Sequence, residues 1–534
     1  MENKIISYLQ NYNINNTHYN NNNNSILETL FENKINLWSY VTGYSLEILI
    51  FLPLIILFFI QFIKIYNLKF LRYISLFGSF TILFVSLINV YFFIINKNFQ
   101  HEELPFRYFT NYFSFYSGID YLIVIYDSTL IFLVIIAFIT FICNIIALTK
   151  NYYKYKLIVS LFFILEFLSF HFFVTGNLLF LYIYFEATVI PTFILIGLWG
   201  TKIRRNIAFY YIYFITGFGS ILMLGANMLL YNKFGTLNTL ELALYSNNMT
   251  EIEKHLAWIL LMLCFIIKLP GFLFYNWLLE AHVEAPVEGS AILSGYILKY
   301  SIWGIIAHVY LIFPEINNFY KNYLSIIIFC SVVYSLLSAI RTHDFKKCIA
   351  YTSISHMSIA LLGLISCTSL GLKGCLIMTF AHSLTSPGLF IIAGLMYEKY
   401  SIRDIRFLGN ITFPLSLFFF FLILTNIGFP GTINFIGELA IFCSLIDCFS
   451  ISNLFTILFN IFVGALFGIW LLTRINFNNT NIKQQSSDLN IKETIILFSI
   501  CSILVYFGLS SYLLNLMTND LTVLYFNIKI GNLI

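Results

Sequence analysis

Long apolar runs separated by short polar connections make up most of the chain. A helix that crosses a bilayer needs about 20 mostly apolar residues, and windows of that length predict about 14 spans here. The first three cover roughly 44–63, 73–95 and 120–148. The next five cover 157–174, 178–198, 207–231, 255–274 and 291–313. The last six cover 324–340, 349–365, 374–396, 414–446, 453–472 and 495–516. The runs are continuous, not short and alternating, so the pattern predicts helices and not the strands of a barrel. Two runs are interrupted, the seventh by Lys268-Leu-Pro-Gly271 and the twelfth by Gly428-Phe-Pro-Gly-Thr432. Irregular backbone at membrane depth is tolerated only where it is buried in protein or lines water. Two Gly/Pro-interrupted spans at matching places in two halves mark an inverted-repeat transporter. Spans four to eight and nine to thirteen are then the two repeats.

Composition sharpens this picture. Of 534 residues, 59% are hydrophobic and only 10% charged, against about 25% charged in soluble domains. A soluble multidomain enzyme and a disordered chain are both excluded. The fold class expected is an all-α polytopic membrane protein. Phe, Ile, Asn, Tyr and Lys abound, the residues of AT-rich codons, and the run Asn20 to Asn24 fits that bias. An organelle-encoded membrane protein fits such a composition. Nine cysteines fall mostly inside apolar runs and form no zinc spacing. No glycine-rich phosphate loop follows a strand, and the bases form no patch, so neither nucleotide nor nucleic acid is an expected ligand. No metal or other cofactor is expected in the chain.

Lysines and arginines set the orientation. Connections after odd-numbered spans hold 18 of them and the opposite side holds 9. Because the basic side faces inward, an even span count leaves both termini on the basic-poor side. The connection after the seventh span, 277–290, breaks the trend: it carries Glu280, Glu284, Glu288 and His282 but no base.

The remaining charges lie inside spans. A charge at mid-bilayer costs at least about 2.5–3.5 kcal/mol. Glu186, Lys268, Lys299 and Glu438 all fall there. Pairing, neutralisation or access to water relieves the cost, and all three are ingredients of a proton path. A structural ion pair of Glu186 with Lys268, or a plain proline kink, explains either feature alone but not the set. His356 and His382, flanked by Ser and Thr, are candidate relays because imidazole titrates near neutral pH. Glu166 and His171 in the fourth span are further candidates.

Several of these segments resemble a known family. Phe185-Glu-Ala-Thr-Val-Ile-Pro-Thr192 with Trp199-Gly200 resembles the fifth helix of the chain 4 family of NADH:ubiquinone oxidoreductase, respiratory complex I. Lys268-Leu-Pro, Trp277-Leu-Leu-Glu-Ala-His-Val-Glu-Ala-Pro286, Gly289-Ser290 and Leu298-Lys299 are similar to its seventh and eighth helices. The run from Asp344 to Met357, then Ala381-His-Ser-Leu-Thr-Ser386, Tyr397-Glu398 and Pro430 to Glu438, continue the likeness in order, and Gly118-Ile-Asp120 opens the third span in the family manner. The resemblance covers about Asp120 to Leu472. It implies a fourteen-helix, antiporter-like subunit with two inverted five-helix repeats. Glu186 and Lys268 would be the coupling pair, Lys299 the central relay and Glu438 the terminal group. An acid at 438 favours chain 4 over chains 2 and 5, which carry Lys there. Tyr275, where many relatives have His, and the acidic Glu288 depart from the pattern.

The resemblance divides the chain into an Asn-rich extension (1–43), three N-terminal spans (44–148), two repeats (149–318 and 319–474) and a last span with its tail (475–534). It implies proton translocation coupled to electron transfer from NADH to ubiquinone elsewhere in the complex, with no redox cofactor and no direct NADH binding in this chain. Implied partners are the neighbouring antiporter-like subunits and lipids such as cardiolipin. The alternative is a chain of a multi-subunit, Mrp-type cation/proton antiporter.

Overall fold

The computed structural model describes residues 45–64, 67–99, 108–116, 119–150, 152–200, 204–409, 411–448, 451–476 and 489–510. The Asn-rich extension and much of the tail, including 511–516 of the last predicted span, lie outside these residues.

Twelve described helices are long and apolar enough to cross a membrane. They are α1 (Ser45–Phe62), α2 (Leu68–Phe99), α3 (Asp127–Thr149), α4 (Tyr155–Val174), α5 (Leu178–Trp199) and α6 (Arg205–Phe234), then α10 (Val287–Ile312), α11 (Pro314–Arg341), α12 (Phe345–Ile365), α13 (Ser369–Tyr400), α16 (Ile451–Asn476) and α17 (Ile491–Leu509). Two further crossings are each built from a pair of helices. One pairs α8 (Glu251–Lys268) with α9 (Asn276–Glu284), and the other pairs α14 (Phe413–Ile427) with α15 (Ile433–Asp447). A short helix, α7 (Thr239–Tyr245), precedes the first of them. The breaks fall where Lys268-Leu-Pro-Gly271 and Gly428–Thr432 predict them, and the fourteen-span, antiporter-like expectation holds.

Two expectations need correction. The third span does not begin at Asp120. Residues Tyr108–Tyr116 (β1) and Ile119–Ile125 (β2) pair as an antiparallel hairpin, and the helix starts at Asp127. An apolar run such as Ile119–Ile125 reads equally as strand or helix by periodicity alone. Its β-branched residues and the acid at the first turn of the following helix favour the observed break. Backbone bonds from Gly176 to Leu122 and a bridge from Ile123 to Thr175 tie the hairpin to the start of α5. The stretch 277–290 is likewise not a loop. It forms α9 and the start of α10, with Trp277, His282, Glu284 and Glu288 all buried.

The helices sort into an inner and an outer set. The span windows in α10, α12 and α13 are wholly buried, whereas about a third or less is buried in α1, α2, α6 and α17. The inner helices bury polar and small residues that lipid would solvate poorly, among them Ser294, Thr352, His356, Gly363 and His382; the outer ones expose Phe, Ile and Leu. Small residues let the inner helices approach closely. A Cβ on Gly437 would come within 3.0 Å of the Met378 backbone, and one on Gly374 within 2.9 Å of the Ile441 nitrogen. Helices α13 and α15 are thus in near backbone contact. Lys156, at the start of α4, donates to the carbonyls of Gln61, in the last turn of α1, and Ile63, just past it, where a cation complements the helix dipole.

The second break is itself clamped by α17. A Cβ on Gly508 would meet the Gly431 carbonyl at 2.3 Å and Thr432 backbone atoms at 2.7 Å, none of which can swing aside. Overpacking of this kind costs about 1–3 kcal/mol. We therefore expect Gly508→Val to lower the amount of assembled protein on native gels, and Gly464→Val, with open space at its Cβ, to leave it unchanged.

Candidate functional site

Each break delivers an ionisable residue to the interior. Helix α8 ends on Lys268, so its cationic side chain sits at the negative end of that helix. The freed carbonyl of Ile267 accepts from the Trp277 indole at 3.0 Å, which stitches α9 back to α8. The Lys268 ammonium lies 4.5 Å from the centre of the Phe185 ring, a cation–π contact. Glu186, the next residue on α5, is the carboxylate in electrostatic reach of Lys268. The two make no direct ion pair, and the buried Glu186 Oε2 has no hydrogen-bond partner. A simple structural salt bridge is therefore absent from this part of the structure.

Lys299 sits at the centre of α10, fully buried. Helix α10 contains two π-helical turns, Leu293–Ile297 and Ile305–Val309, on either side of Lys299–Gly304. Such turns misalign backbone groups and recur at functional sites. The Lys299 amine donates to the Ser294 carbonyl in the first π turn and lies 2.9 Å from His382 Nδ1. When the amine donates to Nδ1, the neutral imidazole carries its proton on Nε2. That Nε2 is buried without a partner. The His382 and His356 ring centres are 6.0 Å apart. His356 Nδ1 in turn stands 3.7 Å from Glu438 Oε1, just beyond direct hydrogen-bond reach, so that a small shift of either side chain joins them. Asn426, at the end of α14, faces the same imidazole. The close approach of α13 to α15 sets this spacing, since Met378 and His382 lie one turn apart and Gly437 adjoins Glu438.

The structure thus brings Lys299, His382, His356 and Glu438 into one buried succession. Glu186 and Lys268 form a separate group on α5 and α8. Glu166, on α4, is fully buried; its Oε1 accepts from Thr140 at 2.7 Å and its Oε2 has no partner. His171 contacts the Tyr121 hydroxyl and stacks on Tyr184 at 4.9 Å, away from the succession.

Three buried groups lie outside the relay candidates that the sequence offers, although His282 already stands out in the connection after the seventh span. His282 on α9 stacks on Phe390 at 4.4 Å with both ring nitrogens unpartnered, in electrostatic reach of Lys299 and His382. His308, in the second π turn of α10, has both ring nitrogens unpartnered. Lys346 donates to the Ala285 carbonyl at 2.9 Å. Reading 277–290 as a helix would have flagged His282; no sequence signal marks the π turn that holds His308. Among the described residues, no His, Cys, Asp and Glu group is placed to hold a metal ion.

The Glu438 carboxylate depends on Gly428. That glycine ends α14 at φ +78, and a Cβ there would lie 2.5 Å from Glu438 Oε2. Gly431 also has positive φ, +92, but open space at its Cβ. Either Gly→Ala change strains the backbone by about 1–2 kcal/mol. Only Gly428→Ala also displaces the carboxylate from His356. We expect Gly428→Ala to depress proton flux per assembled protein in reconstituted vesicles, and Gly431→Ala to reduce yield alone.

The profile of the NADH:quinone oxidoreductase/Mrp antiporter transmembrane family matches residues 175–468. NADH-ubiquinone oxidoreductase chain 4 of Acanthamoeba castellanii is 35% identical over 462 residues, covering 84% of this chain and 91% of the relative. A chain in the structure of respiratory complex I from Thermus thermophilus with bound NADH superposes with TM-score 0.80 at 20% identity, over 90% of this chain and 99% of that one. A chain of the Mrp complex from Dietzia sp. DQ12-45-1b superposes with TM-score 0.78 at 15% identity, over 90% and 97%. These two likenesses concern the fold, whereas the sequence match over most of both chains fixes the membership. The chain belongs to the NADH:quinone oxidoreductase/Mrp antiporter family, in its NADH-ubiquinone oxidoreductase chain 4 group.

Proposed function

We propose that the chain is the proton-translocating, chain 4-type subunit of the membrane arm of a respiratory NADH:ubiquinone oxidoreductase. The observation that carries this reading is the buried succession Lys299, His382, His356 and Glu438, in which each group lies near the next. Charged groups at this depth survive only with partners or water, and here the partners are one another.

The geometry suggests a direction within each step. His382 receives a proton from Lys299 at Nδ1 and releases one from Nε2 toward His356 through water. His356 then passes a proton to Glu438, whose carboxylate lies against the Gly428–Thr432 break. Water reaches such breaks because backbone groups there lack helical partners. Glu186 and Lys268 supply the coupling group at the other end of the axis. Their lack of a direct ion pair leaves both free to change partner, with Phe185 stabilising the lysine in the interval.

Electron transfer runs in other subunits, and this chain carries neither redox cofactor nor NADH site. Its partners are the neighbouring antiporter-like subunits and anionic lipids such as cardiolipin along the outer ring. The protein resides in the mitochondrial inner membrane with both termini on the intermembrane-space side, and its abundance of residues with AT-rich codons fits an organelle gene. An Mrp-type antiporter chain shares the fold. The acid at 438 and the extent of the match to a chain 4 relative favour the respiratory complex.

Co-purification with flavin and iron–sulfur subunits separates the two, because an antiporter complex brings neither. In sealed vesicles driven by NADH, Lys299→Ala and Glu438→Gln should each lower proton translocation about tenfold, a barrier raised by about 1.4 kcal/mol. Wild-type flux in either fully assembled variant would sink the proposal.

A further inference from the structure

A second set of buried polar groups, none of it in the succession above, lies between α3, α4 and α10. It begins where α3 ends. Lys150, just beyond the helix, is shared by two carboxylates: Glu398 Oε1 at 2.7 Å and Glu288 Oε1 at 3.1 Å. Tyr152 donates its hydroxyl to Glu288 Oε2 at 2.6 Å. Glu398 is 41% exposed and Lys150 16%, whereas Glu288 is 0% exposed, so the cluster runs from solvent into the protein. Lys346 of α12 is also in electrostatic reach of Glu288. Burial works against the Lys150 charge, but Glu288 and Glu398 outweigh it and hold its pKa above the ordinary lysine value. Burial and the Glu288 charge likewise push the Tyr152 phenol up. Lys150 therefore stays a fixed cation and Tyr152 a fixed donor, around two acids that share one close counter-charge.

Polar groups continue inward from that mouth. Cys143 Sγ donates to the Glu288 carbonyl at 3.7 Å. The adjacent Asn144 is 0% exposed, yet neither amide atom has a partner. One turn further along α3, Thr140 donates to Glu166, whose Oε2 is bare. The Tyr296 hydroxyl on α10 is also buried without a partner, in electrostatic reach of Cys143 and Glu166. Buried polar atoms in folded proteins are nearly always satisfied, by ordered water where no protein group serves. Depth agrees as well. Ten residues from Lys150 to Thr140 and eleven from Glu288 to Lys299 each span about 15 Å of helix, half the thickness of a membrane core. Tyr296 lies one turn from Lys299.

We propose that this hydrated lane is a proton-uptake route of its own, in which Glu288 collects protons at the Lys150–Glu398 mouth and water past Asn144, Glu166 and Tyr296 delivers them to Lys299. It rests on the reading of Lys299 as a relay. The Glu288 carboxylic acid gives its proton to the water chain, the neutral Lys299 amine takes one from the other end, and Glu288 is reprotonated from the aqueous face through Glu398.

A purely structural ion clamp makes a different prediction. Glu288→Gln alone alters the charge balance around Lys150, which keeps only Glu398, so the informative variant is the charge-balanced double, Lys150→Gln with Glu288→Gln. In the assembled complex in sealed, NADH-driven vesicles, the lane predicts that the double assembles yet loses about tenfold in proton translocation per complex. Wild-type flux in the double, with flux lost in Lys299→Ala, overturns the lane and leaves the axis standing. Wild-type flux in Lys299→Ala overturns the axis and the lane with it. A map of the assembled complex that resolves water should place it against Asn144, Glu166 Oε2 and the Tyr296 hydroxyl; well-resolved dry contacts there would count against the proposal.

Discussion

The cost of holding ionisable groups at membrane depth organises this molecule. Glu166, Lys268, Glu288, Lys299 and Glu438 are all buried, and none could remain in lipid without partner or water. The helices that carry most of them, with their Ser, Thr, Gly and His residues, therefore occupy the interior. Apolar helices with Phe, Ile and Leu facing outward surround them. This inverts the soluble pattern, in which polar residues go outside. Small residues at the α13–α15 contact are needed because side chains, not voids, must set the distances along the axis.

Backbone irregularity positions the charges. A regular helix satisfies all its own backbone groups and leaves nothing for a buried ammonium or carboxylate. The break after α8 places Lys268 at a helix C-terminus, and the π turn in α10 offers the Ser294 carbonyl to Lys299. The break between α14 and α15 places Gly428 against the Glu438 carboxylate, where only a glycine leaves room. Each irregularity would be a defect in a helix that served only as an anchor.

The two polar systems differ in kind. Along the axis, side chains stand within about one water of each other, as expected where a proton hops between fixed groups. In the lane between α3, α4 and α10, protein groups are sparser and several buried polar atoms are bare, so water has more of the connecting to do. Both converge on α10, the helix in which Lys299 is flanked by π turns and every residue of the span window is buried.

Much of this was legible in the chain itself. Apolar run lengths determine fourteen crossings, Gly and Pro determine where two of them break, and isolated charges in apolar runs name Glu186, Lys268, Lys299 and Glu438, because hydropathy and backbone chemistry act locally. The same local signals failed at Ile119–Ile125, where an apolar run reads equally as strand or helix, and at 277–290, where a buried helix carries the polar composition of a loop. Tertiary structure alone decided which of the buried groups meet. It set Lys299 against His382 and His356 near Glu438, kept Lys268 on the Phe185 ring and out of an ion pair with Glu186, and joined Glu288 to Lys150, 138 positions apart in the chain. Such contacts follow from how helices far apart in the chain pack, and no periodicity within a single helix encodes its neighbours.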